Sequence, residues 1–280
     1  MREINANAIT EHVRKACIEA CCDLPEDVLN ALKRAHDVEE SPVGKTVIDE
    51  IIENAQIARN ERVPICQDTG LTLVFLEIGQ DVHIVGGNIY DAINQGVREG
   101  YEEGYLRKSI VRHPLDRVNT GDNTPAVIHT EIVPGDRLRV TIAPKGGGSE
   151  NMSIARVLKP ADGMDGVRKF VVKTVRNAGS NPCPPIIVGV GLGGTIEKAA
   201  LLSKKAILRK TGEPSANPTD SEIERDLLAA VNCTGVGPSG LGGRVTALAV
   251  HVESHPCHIA SLPVAITIQC HAARHKEILL

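Results

Sequence analysis

The apolar residues of this chain change period near residue 60, and that switch limits what it can fold into. Before it they recur at helical spacing. Ile9, Val13, Ala16, Cys17, Ala20 and Leu24 form one stripe, Val28, Leu29, Leu32 and Ala35 a second, and Val43, Val47, Ile51, Ala55 and Ala58 a third. Thr10, Pro25 and Ser41-Pro42 supply helix-start signals among them. After the switch, short apolar runs alternate with helical stretches. Leu71 to Ile78 and Asp81 to Val85 read as strands, and Asn88 to Tyr105 as a helix with Ile89, Ala92, Ile93, Val97 and Tyr101 inward. Strands around Ala126 to Ile132 and Arg137 to Ala143 flank a Pro134-Gly135-Asp136 turn. Helices near Val167 to Ala178, Ile196 to Leu208 and Glu222 to Val231 follow, interleaved with strands at Ile186 to Val190, Val245 to Val252 and Pro263 to Ile268. There is no internal repeat and no barrel-like regularity. The expected fold is therefore α+β, with a helical N-terminal region over 1–60 packed on a mixed-sheet domain over 61–280 in which two subdomains are allowed.

Two Phe, three Tyr and no Trp in 280 residues mean that Val, Ile, Leu and Ala must build the core. Such a chain has no aromatic platform on which bases could stack. Lys and Arg total 31 against 35 Asp and Glu, a net charge of −4, which argues against nucleic acid or an anionic membrane as partner. Met1 to Ala20 carry charges throughout, without a signal-type apolar core, and no window approaches the eighteen or so apolar residues of a membrane span. A cytoplasmic protein is expected. Its eight cysteines then favour thiols and metal ligation over disulfides, and the lack of a Cys-x-x-Cys pair disfavours a zinc finger.

Cys17, Cys21 and Cys22 fall largely on the apolar face of the first helix and read as core filling. Three others sit on stiff turns. Cys66 lies in Pro64-Ile65-Cys66-Gln67-Asp68-Thr69-Gly70, a thiol beside an amide and a carboxylate. Cys183 is enclosed by prolines in Asn181-Pro182-Cys183-Pro184-Pro185, and Cys270 ends an apolar run in Gln269-Cys270-His271-Ala272-Ala273-Arg274. Cys233 and Cys257, each among turn-forming or polar residues, are further ligand candidates. Lys145-Gly146-Gly147-Gly148-Ser149 exposes consecutive backbone N–H groups beside a cation, a nest suited to a carboxylate or phosphate or else a flexible hairpin. Gly189-Val190-Gly191-Leu192-Gly193-Gly194 matches a dinucleotide-binding turn, but Glu213, at roughly the offset of the required acidic residue, sits in a turn. The other reading of that run is a tight strand-to-helix turn.

Cys66-Gln-Asp-Thr-Gly, Val118-Asn-Thr-Gly, Lys145-Gly-Gly-Gly-Ser, Pro182-Cys-Pro-Pro and the Cys270-to-Arg274 segment together resemble the α-type chain of the class I iron–sulfur hydro-lyases, fumarase and L-tartrate dehydratase. The resemblance runs in order from about Ile9 onward and implies that 61–280 is the α-type catalytic domain. It implies a [4Fe–4S] cluster held by Cys66, Cys183 and Cys270, with one iron left open as a Lewis acid. It further implies that Asp68 and His258 form the acid/base machinery, and that Gln67, Arg107, Lys145, Gly146 and Gly147 bind a small dicarboxylate. His258 lies twelve residues before Cys270, the offset that the family pattern leads one to expect. Single-chain members continue into a β-type domain carrying the carbon-side base. This chain stops at Leu280, so an α subunit working with a β-type subunit, itself a homodimer within the hetero-oligomer, is expected. The lysine before the glycines favours fumarase, with L(+)-tartrate dehydratase as the near alternative and a dinucleotide-binding protein or a non-catalytic scaffold subunit as the distant ones.

Overall fold

A computed structural model describes residues 1–280. In chain order the elements are β1 (Arg2–Asn5), α1 (Ala6–Cys22), α2 (Glu26–Val38), α3 (Pro42–Glu61), β2 (Leu71–Gly79), β3 (Val82–Val85) and α4 (Ile89–Glu103). Next come β4 (Val127–Val133), β5 (Leu138–Lys145), α5 (Gly147–Glu150), β6 (Ile154–Leu158) and α6 (Gly163–Ala178). The rest is β7 (Ile186–Gly193), α7 (Ile196–Ala206), α8 (Pro218–Asn232), β8 (Ala247–His255), β9 (Leu262–Gln269) and β10 (Lys276–Leu279). This is the α+β mixture that the periodicity implies. The residues fall into two compact units, one of Met1–Leu24, Ala55–Gly147 and Arg274–Leu280, the other of Pro25–Asn54 and Gly148–Ala273. The boundary passes through α3. No helix is long and apolar enough to cross a membrane.

In the first unit, Asn5 caps α1 by accepting the Asn7 N–H at 2.9 Å, and the predicted stripe of Ile9, Val13, Ala16, Cys17 and Ala20 is buried. It packs on α4 at close range. A Cβ at Gly96 would stand 2.6 Å from the Thr10 carbonyl oxygen, and one at Gly100 2.7 Å from that of Arg14, so only glycine permits this helix contact. The sheet runs β10-β5-β2-β4, with β2 parallel to β4 and antiparallel to β5. The Pro134-Gly135-Asp136 turn therefore does not pair its two flanking strands. It arches over the end of β2, where Gly79 N–H donates to the Arg137 carbonyl at 2.9 Å and Gln80 N–H to that of Val133 at 2.9 Å. The turn is long enough for this, because two strand spacings are only about 10 Å.

In the second unit the order is β6-β9-β7-β8, with β7 parallel to β8 and antiparallel to β9. Val167, Val171 and Val175 of α6 and Leu227 and Val231 of α8 meet Val188, Val190, Val250, Val252 and Ile266 of the sheet in a core without a buried aromatic ring. Along α3 the buried residues are Gly44, Ile48, Ile51, Ala55 and Ala58, so the stripe predicted through Val43 and Val47 is rotated by one position at its start. The glycine run is mostly strand. Gly189 and Gly191 lie within β7, where a Cβ would stand 2.2 Å from the Ser203 carbonyl oxygen and 1.9 Å from that of Ala199. Those glycines let α7 press onto the sheet. Their bare faces are filled by helix backbone, which leaves no approach for a pyrophosphate, and only Gly193 and Gly194 turn, with φ of +85° and +64°.

His251 on β8 is 2% exposed, and neither ring nitrogen has a hydrogen-bond partner. The Glu224 carboxylate stands 3.9 Å from its Nδ1 but is already bound by Arg209 Nη1 at 2.5 Å and by the Val252 N–H at 2.9 Å. Burial, then the Arg209 charge, lower the imidazole to about 4 against the opposing pull of Glu224 and Asp27. The neutral ring is thus built into the fold. The unfolded chain takes up this proton near pH 6.5, so the stability gained from a neutral His251 is complete above that pH. It is lost as pH falls toward 4, by at most about 3 kcal/mol. Urea midpoints at pH 7.5 and pH 5 should differ accordingly in the native chain and much less in His251→Phe; equal pH slopes in the two would contradict this account.

Candidate active site

Strand pairing sets the first part of the site. Leu71 opens β2 opposite Lys145, the last residue of β5, so the Cys66–Gly70 loop and the Gly146–Gly148 run emerge at one end of the same sheet. Gly70 makes the crossing feasible: its φ is +76°, and a Cβ there would stand 2.6 Å from the Lys145 carbonyl. Buried Tyr101 donates its hydroxyl to the Thr69 carbonyl at 2.9 Å and lies 3.2 Å from that of Gly70. Thr69 Oγ1 donates to the Arg107 carbonyl at 3.1 Å. Asn123 donates to the Gly70 carbonyl at 3.3 Å while accepting the Ser109 N–H at 2.7 Å. These bonds hold the loop that presents Gln67 and Asp68.

Asp68 is fixed from two sides. Its Oδ1 accepts the Gly70 N–H at 3.0 Å and its Oδ2 the Gly147 N–H at 2.8 Å. The glycine run is accordingly not a flexible hairpin. It is the end of β5, with Lys145 only 2% exposed, followed by the short turn of α5, and one of its N–H groups already serves a carboxylate of the protein. Cys66 is half-buried, and its Sγ–H donates to Gln67 Oε1 at 2.9 Å. The Arg107 side chain is exposed. Arg274 Nη2 donates to the Asp68 main-chain carbonyl. The cysteines of α1 behave as core: burial pushes the Cys21 thiol up to about 12, and raises Cys17 and Cys22 as well.

The second unit carries Cys183, Cys270 and His258. Ile187 pairs with Gln269, so Cys183, shortly before β7, and Cys270, just after β9, fall on neighbouring loops. His271 links them: its N–H and its Nδ1 meet the Cys183 carbonyl at 3.5 and 3.0 Å. Cys183 holds a φ of +53° between its prolines. His258 stands on the exposed loop between β8 and β9, where Nδ1 accepts the Ala260 N–H at 3.1 Å. The proton of the neutral ring therefore resides on Nε2. With Gly194, Lys198, His255 and Cys257 it lines a groove of about 590 Å³.

No group of three or more His, Cys, Asp and Glu side chains stands ready to hold a metal ion. The donors nevertheless fit an iron–sulfur cluster in kind. Cys66 and Cys270 are half-buried and Cys183 is exposed, all on loops and outside any disulfide, in contrast to the sealed thiols of α1. Sequence reading missed Tyr101, Asn123 and His271 as supports of the loops. Tyr101 could be seen only as an inward residue, and the partners of all three are backbone groups distant in sequence.

The family model described as fumarate hydratase (Fumerase) matches residues 10–279. The protein named "Putative L(+)-tartrate dehydratase subunit alpha" from Methanocaldococcus jannaschii is 46% identical over 262 residues, 91% of this chain and 92% of that one. The L(+)-tartrate dehydratase subunit alpha of Escherichia coli K12 is 35% identical over 278 residues, 98% of this chain and 91% of that one. Family and relatives alike are named for adding or removing water, and the protein is a hydro-lyase. The chain belongs to the fumarate hydratase (Fumerase) family, as its motifs implied.

Proposed function

We propose that this chain is the α subunit of a two-subunit iron–sulfur fumarate hydratase of the cytoplasm, interconverting (S)-malate with fumarate and water. The observation that carries the reading is Asp68, a carboxylate fixed by the N–H groups of Gly70 and Gly147 two residues after a free thiol. Cys66, Cys183 and Cys270 would hold the [4Fe–4S] cluster. When bound, its open iron supplies Lewis acidity toward the substrate hydroxyl. Arg107 and Lys145 bring positive charge for the two substrate carboxylates, and Gln67 and the Gly146 backbone orient them beside Gly147, whose N–H holds Asp68. His258, as the imidazolium, gives a proton to the departing hydroxide and returns to the neutral ring, and Asp68 tunes and orients the proton transfer. The base that takes the carbon-bound proton belongs to a β-type partner.

A second reading, L(+)-tartrate dehydratase α subunit, is favoured by the names of the relatives. Turnover separates the two. A site shaped to hydrogen-bond the extra hydroxyl of tartrate discriminates strongly against a substrate lacking it. With cluster and β partner present, malate should turn over at least about a hundredfold faster than L-tartrate, and the chain without its partner should turn over neither. A reversed preference would move the assignment to tartrate. Substantial malate dehydration by the lone chain would remove the two-subunit reading.

A further inference from the structure

Arg274 is 3% exposed, a depth at which an arginine normally has a full set of acceptors. Only its Nη2 is matched, donating to the main-chain carbonyl of Asp68. Its Nε and Nη1 are buried with no acceptor in the protein. The Asp68 carboxylate does not supply one; its two oxygens receive the N–H groups of Gly70 and Gly147. The Cys21 carbonyl accepts the Ile65 N–H at 2.9 Å and Arg274 binds the Asp68 carbonyl, so α1 and the guanidinium both fasten the Cys66 loop. A buried guanidinium with unmatched donors is unfavourable unless an anion meets it. A [4Fe–4S] cluster held by three thiolates is such an anion.

Resting on the cluster assignment above, we infer that Arg274 is a positioning residue of the iron–sulfur site. Its Nη2 fixes the ligand loop through the Asp68 carbonyl, and its buried charge and remaining N–H groups balance the anionic cluster held through Cys66. The test uses the full chain, reconstituted anaerobically with iron and sulfide, as native protein, Arg274→Gln and Arg274→Lys. Cluster loss to a chelator is followed by absorbance, and amide exchange over residues 65–70 is followed in the metal-free chain, with far-ultraviolet circular dichroism reporting the fold. Arg274→Gln should lose its cluster at least about tenfold faster and exchange the loop amides about tenfold faster, the usual scale for an outer partner of a metal ligand. Arg274→Lys keeps the charge but not the planar fork. It should hold the cluster within about threefold of native while its loop exchanges faster. Native-like retention and exchange in Arg274→Gln, or cluster loss in Arg274→Lys as fast as in Arg274→Gln, would overturn the inference alone. So would failure of both variants to fold, which would make Arg274 a residue of the core. A native chain that takes up no cluster would overturn the iron–sulfur reading and this inference together.

Discussion

Serine at Cys66, Cys183 or Cys270 is expected to lower the iron retained after anaerobic reconstitution by at least about tenfold, because each removes one of the three thiolates proposed to hold the cluster. Serine at Cys17 or Cys21 should leave iron content unchanged. Those thiols lie sealed in α1, where burial keeps them protonated. Cys233 and Cys257 are exposed and free, and their serine variants decide whether the ligand set is the one assigned. Iron and sulfide per chain, read beside absorbance near 400 nm, give the answer. Full iron content in all three of the first variants would break the assignment.

Replacing Asp68 by Asn should cost about two or more orders of magnitude in kcat with the cluster intact, the usual range of a general acid–base contribution. The geometry shows why so small a change matters. Both carboxylate oxygens accept backbone N–H groups, and an amide can accept only one of them, so its NH2 must face either Gly70 or Gly147. The charge proposed to tune the proton donor disappears in the same substitution. His258→Asn should fall comparably. Near-native turnover in both variants, at equal iron content, would take these residues out of the mechanism.

The helices of this fold were legible in the sequence because each buries one stripe at a 3.6-residue period. The misplacement at Val43 arose because the buried position there is Gly44, which carries no hydrophobic signal. β1, β6 and β10 were not legible. Each lies at a sheet edge or in a two-stranded pair, with most of its side chains exposed, so no alternation marks it. Of the candidate site, the Cys66 loop and the Lys145 glycine run could each be picked out locally. Their meeting could not, because it depends on Leu71 pairing with Lys145 across more than seventy residues. The same holds for Arg274, whose partner is a main-chain carbonyl rather than a side chain of opposite charge.

The first unit is discontinuous in the chain, and that has a consequence for how the protein is made. β5 leaves the ribosome well before β10, the strand that covers its free side, and the whole of Gly148–Ala273 is synthesised in between. Throughout that interval the side of β5 that β10 will cover stays open, and the carbonyl of Asp68 waits for Arg274. The Cys66–Gly70 loop therefore reaches its final form only after the second unit has been translated. On the proposed ligand set, iron delivered before then would meet a Cys66 loop that Arg274 has not yet fastened.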